Sequence, residues 1–169
     1  MNNILIQIIG GIGYFLLALS FYKKEKKEIL LMQVIAYIFF TIHYYLLNAI
    51  TGTICNILGL ISLVIIYYLS IKNKKKDRIV LVMIPILLGI SILTYQNIYS
   101  IFPIISIIIS LLSFINDDEN IIRFIGIISA IGWLIYAIVY HSYVAIAFEI
   151  FTIISTVIAY IKNRNNSGK

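Results

Sequence analysis

All thirteen Lys and Arg residues of this 169-residue chain gather on one side of a membrane once seven hydrophobic runs are threaded through it. The runs are Ile4–Phe21, Ile29–Leu47, Gly52–Ile71, Ile79–Tyr95, Ile98–Ile115, Ile121–Tyr140 and Ser142–Ile161. With the gaps alternating outside and inside, the inside ones hold Lys23, Lys24, Lys26 and Lys27, then Lys72, Lys74, Lys75, Lys76 and Arg78. Arg123 lies at the inner end of the sixth run, and Lys162, Arg164 and Lys169 lie in the tail. The outside segments Met1–Asn3, Asn48–Thr51, Gln96–Asn97 and His141 hold none. Short basic loops resist translocation and stay cytoplasmic. The charge map therefore predicts seven spans, N-terminus out and C-terminus in.

Length and composition agree. Each run is close to the roughly 20 residues a helix needs to cross the hydrocarbon core. Lone strands cannot satisfy their backbone in lipid, so the expected class is an all-α membrane protein. Mean hydropathy is +1.02, and 62% of residues are hydrophobic. The connectors leave no room for a soluble domain. The first run lacks a basic leader and a small-residue cleavage site, so it reads as a retained span. The net charge of +6 is explained by topology and by anionic lipid headgroups, with no aromatic-interleaved basic surface for nucleic acid. Cys55 is the single cysteine, which excludes an intrachain disulfide; a small packing residue is its expected role.

Tyrosines mark both ends of the runs. Tyr44, Tyr45, Tyr95, Tyr99, Tyr140 and Tyr143 cluster at the outer ends, and Tyr22, Tyr67, Tyr68 and Tyr160 at the inner ends, as in an aromatic belt. Tyr14, Tyr37 and Tyr136 lie within runs and need another reason.

A weak repeat runs through the chain. Ser20-Phe21 and Ser113-Phe114 each end a run ahead of a charged loop, a step of 93 residues. The same step pairs Phe40 with Trp133, His43 with Tyr136, and Asn56 with Glu149. Ile71-Lys72-Asn73-Lys74 pairs with Ile161-Lys162-Asn163-Arg164 at a step of 90. The expected organisation is one transmembrane domain over 1–169. It comprises a three-helix repeat over 4–71, a linker helix over 79–95 and a second repeat over 98–161. An odd linker lets both triplets enter the membrane in the same sense, giving a parallel repeat about the membrane normal.

This 3+1+3 pattern resembles the SWEET, PQ-loop and nicotinamide-riboside-transporter architecture, and is most similar to the YgjV-type family of bacterial inner-membrane proteins. The residues that carry the resemblance are Gln7, Gly10, Phe21, Leu31-Met32-Gln33, His43-Tyr44-Tyr45-Leu46-Leu47, Asn56, Trp133 and Glu149. It implies a multi-pass protein of the bacterial inner membrane. The Pro-Gln pair of PQ-loop proteins is missing at Phe21-Tyr22, so their hinge does not carry over.

Small and polar residues line one face of several helices at steps of three and four. Examples are Gln7, Gly11, Tyr14 and Ala18, or Ser142, Ala145, Glu149 and Thr152. Such stripes are the usual packing surface between helices in lipid. Glu149 stands apart, because the other six acidic residues lie in inner gaps. A carboxyl inside a span faces a cavity or a partner. It is read as a substrate ligand or proton-titrating group, against the alternative of a structural carboxyl bonded to a neighbour. At ~1.5 Å per residue, His43, Asn56 and Tyr136 lie about 6 Å and Trp133 and Glu149 about 10 Å below the outer end. These five are the candidate substrate site, in the outer half between the two triplets. Pro85 and Pro103 are read as possible kinks.

No metal-spaced cluster, nucleotide-binding loop or nucleophile–base pair appears, so neither an enzyme nor a cofactor is expected. The expected partners are membrane lipid and a small polar solute, not nucleic acid; a homo-oligomer is compatible with the sequence. The leading expectation is a transporter or facilitator. The alternative is a non-transporting receptor-like or accessory protein, with a dry interface and Glu149 tied to one side chain. A reporter fused after Lys169 should be cytoplasmic and one at Met1 external; both on one side would remove the seven-span topology.

Overall fold

The computed structural model describes residues 3–20, 23, 25–72, 77–113 and 119–167. Among them are seven α-helices: α1 Asn3–Ser20, α2 Lys26–Leu46, α3 Ile50–Ile71, α4 Asp77–Leu93, α5 Ile101–Ser113, α6 Glu119–Val139 and α7 Tyr143–Ser167. A 3-10 turn, Ile98–Ser100, leads into α5. α1, α2 and α3 are long and apolar enough to cross a membrane; the others carry apolar stretches of Ile79–Leu93, Ile98–Leu112, Phe124–Val139 and Tyr143–Ile158.

Helices are what such a sequence must form, because a backbone in hydrocarbon has only itself to bond. The predicted runs and the helices agree to within a few residues, with three physical differences. α4 stops at Leu93, where Thr94 turns back to bond Ser91 O. The fifth run is split between the 3-10 turn and α5; its last two residues, Phe114 and Ile115, lie outside the described residues. α7 continues to Ser167, well beyond the predicted span. Pro103 sits in the first turn of α5, where helical N–H groups have no partner anyway, so the expected kink has no cause there. Pro85 lies inside α4 and does remove a helical bond.

α2 packs between α1 and α3, and α6 between α5 and α7. The two triplets meet where α1 touches α7 and where α3 touches α5, which closes a ring of six helices. α4 lies against α3 and α5. Polarity is inverted relative to a water-soluble bundle. Ile4, Phe15, Val82, Leu93, Phe151 and Ile158 face outward, while Asn56, Ser106, Ser142 and Glu149 are buried. An apolar exterior is the surface lipid covers.

Glycines set how closely the helices approach. A Cβ at Gly10 would meet the His43 ring at 2.7 Å, and one at Gly52 would meet the Tyr136 ring at 2.5 Å. One at Gly132 would collide with Ser106 and the carbonyl of Phe102. Gly89 on α4 has nothing within 4 Å. Gly52→Ala should therefore cost about 1–3 kcal/mol, because the methyl displaces a packed ring. Gly89→Ala should be neutral or stabilising by up to about 1 kcal/mol. Unfolding of the purified variants in denaturant measures both.

Candidate functional site

The α2–α3 and α6–α7 reversals are built bond for bond alike, 93 residues apart. Asn48 and His141 both take a left-handed backbone, with φ of 57° and 54°. Asn and His are among the residues that accept this conformation most readily. Ala49 N–H donates to Tyr44 O and Asn48 N–H to Tyr45 O; Ser142 N–H donates to Ala137 O and His141 N–H to Ile138 O. This pattern is the Schellman end of a helix.

At each reversal a glutamine from elsewhere bonds the carbonyl of the left-handed residue, which at His141 also accepts from Tyr143 N–H, and an N–H beyond it. Gln7 of α1 donates from Nε2 to His141 O (3.0 Å) and accepts from Val144 N–H (3.2 Å). Gln96, ahead of the 3-10 turn, donates to Asn48 O (3.3 Å) and accepts from Thr51 N–H (3.2 Å). In both cases the accepted N–H lies three residues after the left-handed one. His43 and Tyr136 add a second tier. His43 Nε2 bonds Ser142 Oγ (2.6 Å) and Nδ1 bonds Ile6 O (2.8 Å). Because Ile6 O can only accept, Nδ1 carries the proton and Ser142 donates to Nε2. The Tyr136 hydroxyl accepts from Gly52 N–H at 2.9 Å.

Below this tier the ring encloses a cavity of about 260 Å³. Asn56, Trp133 and Glu149 line it, so three of the five candidate residues come together. His43 and Tyr136 do not line it. Both are fully buried, and their polar atoms are spent on the bonds just described. Equal depth along the helices put all five in one layer, but it could not say which way each side chain turns.

Glu149 is 9% exposed, and no hydrogen bond or ion pair to its carboxyl is found among the described residues. Asn56 Nδ2 donates to Gly52 O at 2.8 Å, which leaves Oδ1 and one N–H of the amide for other partners. Tyr14, Tyr37 and Tyr44 line the cavity together with Glu149. Tyr44 is a correction to the belt reading. It is 1% exposed, its ring centroid lies 5.6 Å from that of Trp133, and its hydroxyl is buried without a hydrogen-bond partner. Tyr45, Tyr95, Tyr99 and Tyr143 are exposed, as belt residues should be. Phe148, beside Glu149, stacks on Tyr14 at 4.4 Å between centroids and was not anticipated.

The cavity is closed at the turn end by the two tiers and by Tyr44. Its wall continues the other way to Gln33, Ser110 and Gly126, in the halves of α2, α5 and α6 nearest the basic loops. At the turn end, hydrogen bonds link α1–α3 to α5–α7. Ser110 and Ser129, bonded Oγ to Oγ at 2.7 Å, join α5 to α6 within one triplet. Cys55 lies 3.8 Å from Ser91 Oγ, between α3 and α4. No group of three His, Cys, Asp or Glu side chains suited to a metal is found among the described residues.

A family model described as a bacterial inner membrane protein matches residues 4–167. The chain belongs to that family, and the membrane reading of its helices follows with it. No curated protein and no solved structure matches the chain.

Glu149→Gln should fold at least as well as the parent, because the carboxyl has no partner to lose and its burial as a charge is costly. Its melting temperature in detergent should match or exceed the parent's. A fall of more than about 4 °C, roughly 1 kcal/mol or more for a chain of this size, would mean that the carboxyl holds helices together.

Proposed function

We propose that this inner-membrane protein moves a small polar solute across the bilayer, binding it in the central cavity between two repeated triplets. The observation that carries the reading is a buried carboxyl lining a cavity with no protein group to satisfy it. A protein that used Glu149 only for cohesion would have bonded it. Such a group inside a membrane protein is costly unless a ligand, a proton or water meets it.

The triplets 4–71 and 98–161 are read as parallel repeats joined by the linker 79–95. Support comes from the paired reversals, the exchanged glutamine bonds, and reciprocal contacts of α1 with α7 and α3 with α5. A twofold relation exchanges each of these with its counterpart. Asn56 and Glu149, paired at the step of 93, line the same cavity from α3 and α7. All seven helices would then span, with lipid against the apolar exterior.

The mechanism follows from where the bonds are. Hydrogen bonds join the triplets at the turn end, so that end is read as the closed gate and alternating access as its release. Alternating access would rock one triplet on the other, releasing Gln7 and Gln96 from the opposite reversals and packing the helix halves around Gln33 and Gly126. Each of the released bonds is worth about 1 kcal/mol, small enough for solute binding to shift the balance.

The test is sided accessibility. In a Cys55→Ser background, Thr152→Cys, which lines the cavity, should react with a membrane-impermeant maleimide from the side of the basic loops. Adding Gln7→Ala and Gln96→Ala should raise labelling from the opposite side several-fold. Labelling from neither side in either background would remove the transport reading.

A further inference from the structure

The chemistry of the cavity wall is one-sided. Among the described residues, the one carboxyl on the wall, Glu149, has no hydrogen-bond or ion-pair partner, and no Lys, Arg or His lines the cavity. The Asn56 amide uses one N–H on Gly52 O and keeps its Oδ1 as an acceptor. Six aromatic rings, of Tyr14, Tyr37, Tyr44, Phe40, Phe148 and Trp133, border the same space, with Gln33, Ser110, Ser129 and Thr152 as its other polar lining. These rings are held by one another. Tyr14 lies 4.5 Å from Phe40 and 4.4 Å from Phe148, and Trp133 lies 5.6 Å from Tyr44, centroid to centroid. Ring faces carry partial negative charge and attract cations, and desolvation strengthens that attraction.

A single unpaired negative group among aromatic ring faces leaves one kind of deficit, a positive charge. A neutral sugar or amide would supply donors but no charge for Glu149. An anion would meet a carboxyl and ring faces, all of the wrong sign. A divalent metal ion is usually held by more than one charged ligand, and the described wall offers a single carboxylate. The volume of about 260 Å³ lies below the usual range for drug-sized ligands, so the occupant is compact.

We propose that the cavity binds a small organic ammonium ion, with Glu149 as its counter-ion, Asn56 Oδ1 as a second acceptor, and the Trp133, Tyr14, Tyr37 and Tyr44 rings as its cage. The proposal rests on the transport reading above and names its substrate class. Asn56 and Glu149 approach the cation from opposite triplets, so its binding draws the two halves together.

Trp133 is the only tryptophan in the chain and lines the cavity, so its fluorescence reports occupancy directly. The purified full-length protein is titrated with two matched pairs: choline against 3,3-dimethylbutan-1-ol, and benzylammonium against benzyl alcohol. Within each pair the shape is nearly the same and the charge differs. At least one cation should change the Trp133 emission saturably, with affinity at least tenfold above that of its neutral partner. Glu149→Gln should lower that affinity tenfold or more. Asn56→Leu, which leaves the charge in place, should lower it less.

Equal response to a cation and its neutral partner overturns the proposal, as does the absence of a saturable response to either cation. If the Glu149 variant fails to fold, the paired comparison on the parent protein still decides. Failure here leaves the sided labelling of Thr152→Cys standing and points to a different solute. Saturable cation binding with Thr152→Cys closed from both sides would remove transport and keep the binding site.

Discussion

A chain that reverses direction at the edge of a membrane exposes peptide groups that lipid cannot hydrate. Asn48 and His141 make those reversals compact by taking left-handed backbones, and each presents a carbonyl and a nearby N–H for further bonds. The chain answers with a side chain that carries one donor and one acceptor at fixed separation. Gln7 and Gln96 each span the pair, and each does so for the triplet it precedes or faces across the ring, not for an adjacent turn. Much else depends on this. The bonds bring α1 to the start of α7 and the start of α5 to α3, and those contacts close the ring around the cavity.

The same accounting separates polar groups that the protein satisfies itself from those it leaves facing the cavity. His43, Ser142, Tyr136 and Thr51 are buried and bonded within the protein. Glu149, Asn56 Oδ1 and Trp133 are not bonded in this way, and all lie on the cavity. Polarity alone marks both sets in a membrane span. What distinguishes them is whether the protein has already supplied the partner.

Much of the helical arrangement was legible from two signals, apolar run length and the step of 93 residues. The runs gave the helices to within a few residues, and the step pairs Asn48 with His141 and Asn56 with Glu149. Three of five candidate residues reached the cavity because an unusual polar residue in a span has few places to go. The remainder was hidden for definite reasons. Tyr44 sits at a helix end beside exposed Tyr45, so belt and interior tyrosines look alike until the helix is rotated correctly. His43 and Tyr136 carry groups that suit a ligand, but equally suit the end of a neighbouring helix. Gln96 lies in a short connector, where its long-range role has no periodic signature. Phe148 belongs to an apolar stretch in which any aromatic reads as lipid-facing.

The exchange of glutamines also sets an order of assembly. During synthesis, α2 and α3 can turn back at Asn48 before anything is available to bond its carbonyl. Gln96 arrives roughly four dozen residues later and completes that turn while the second half is still unmade. Gln7 lies in α1, and its partners at His141 and Val144 stand 134 and 137 residues further along the chain. Contacts between segments so far apart in the chain form late, because a long loop must close first. α1 packs on its neighbour α2, and the bonds of Gln7 add a second attachment that closes the ring only where α7 is in place.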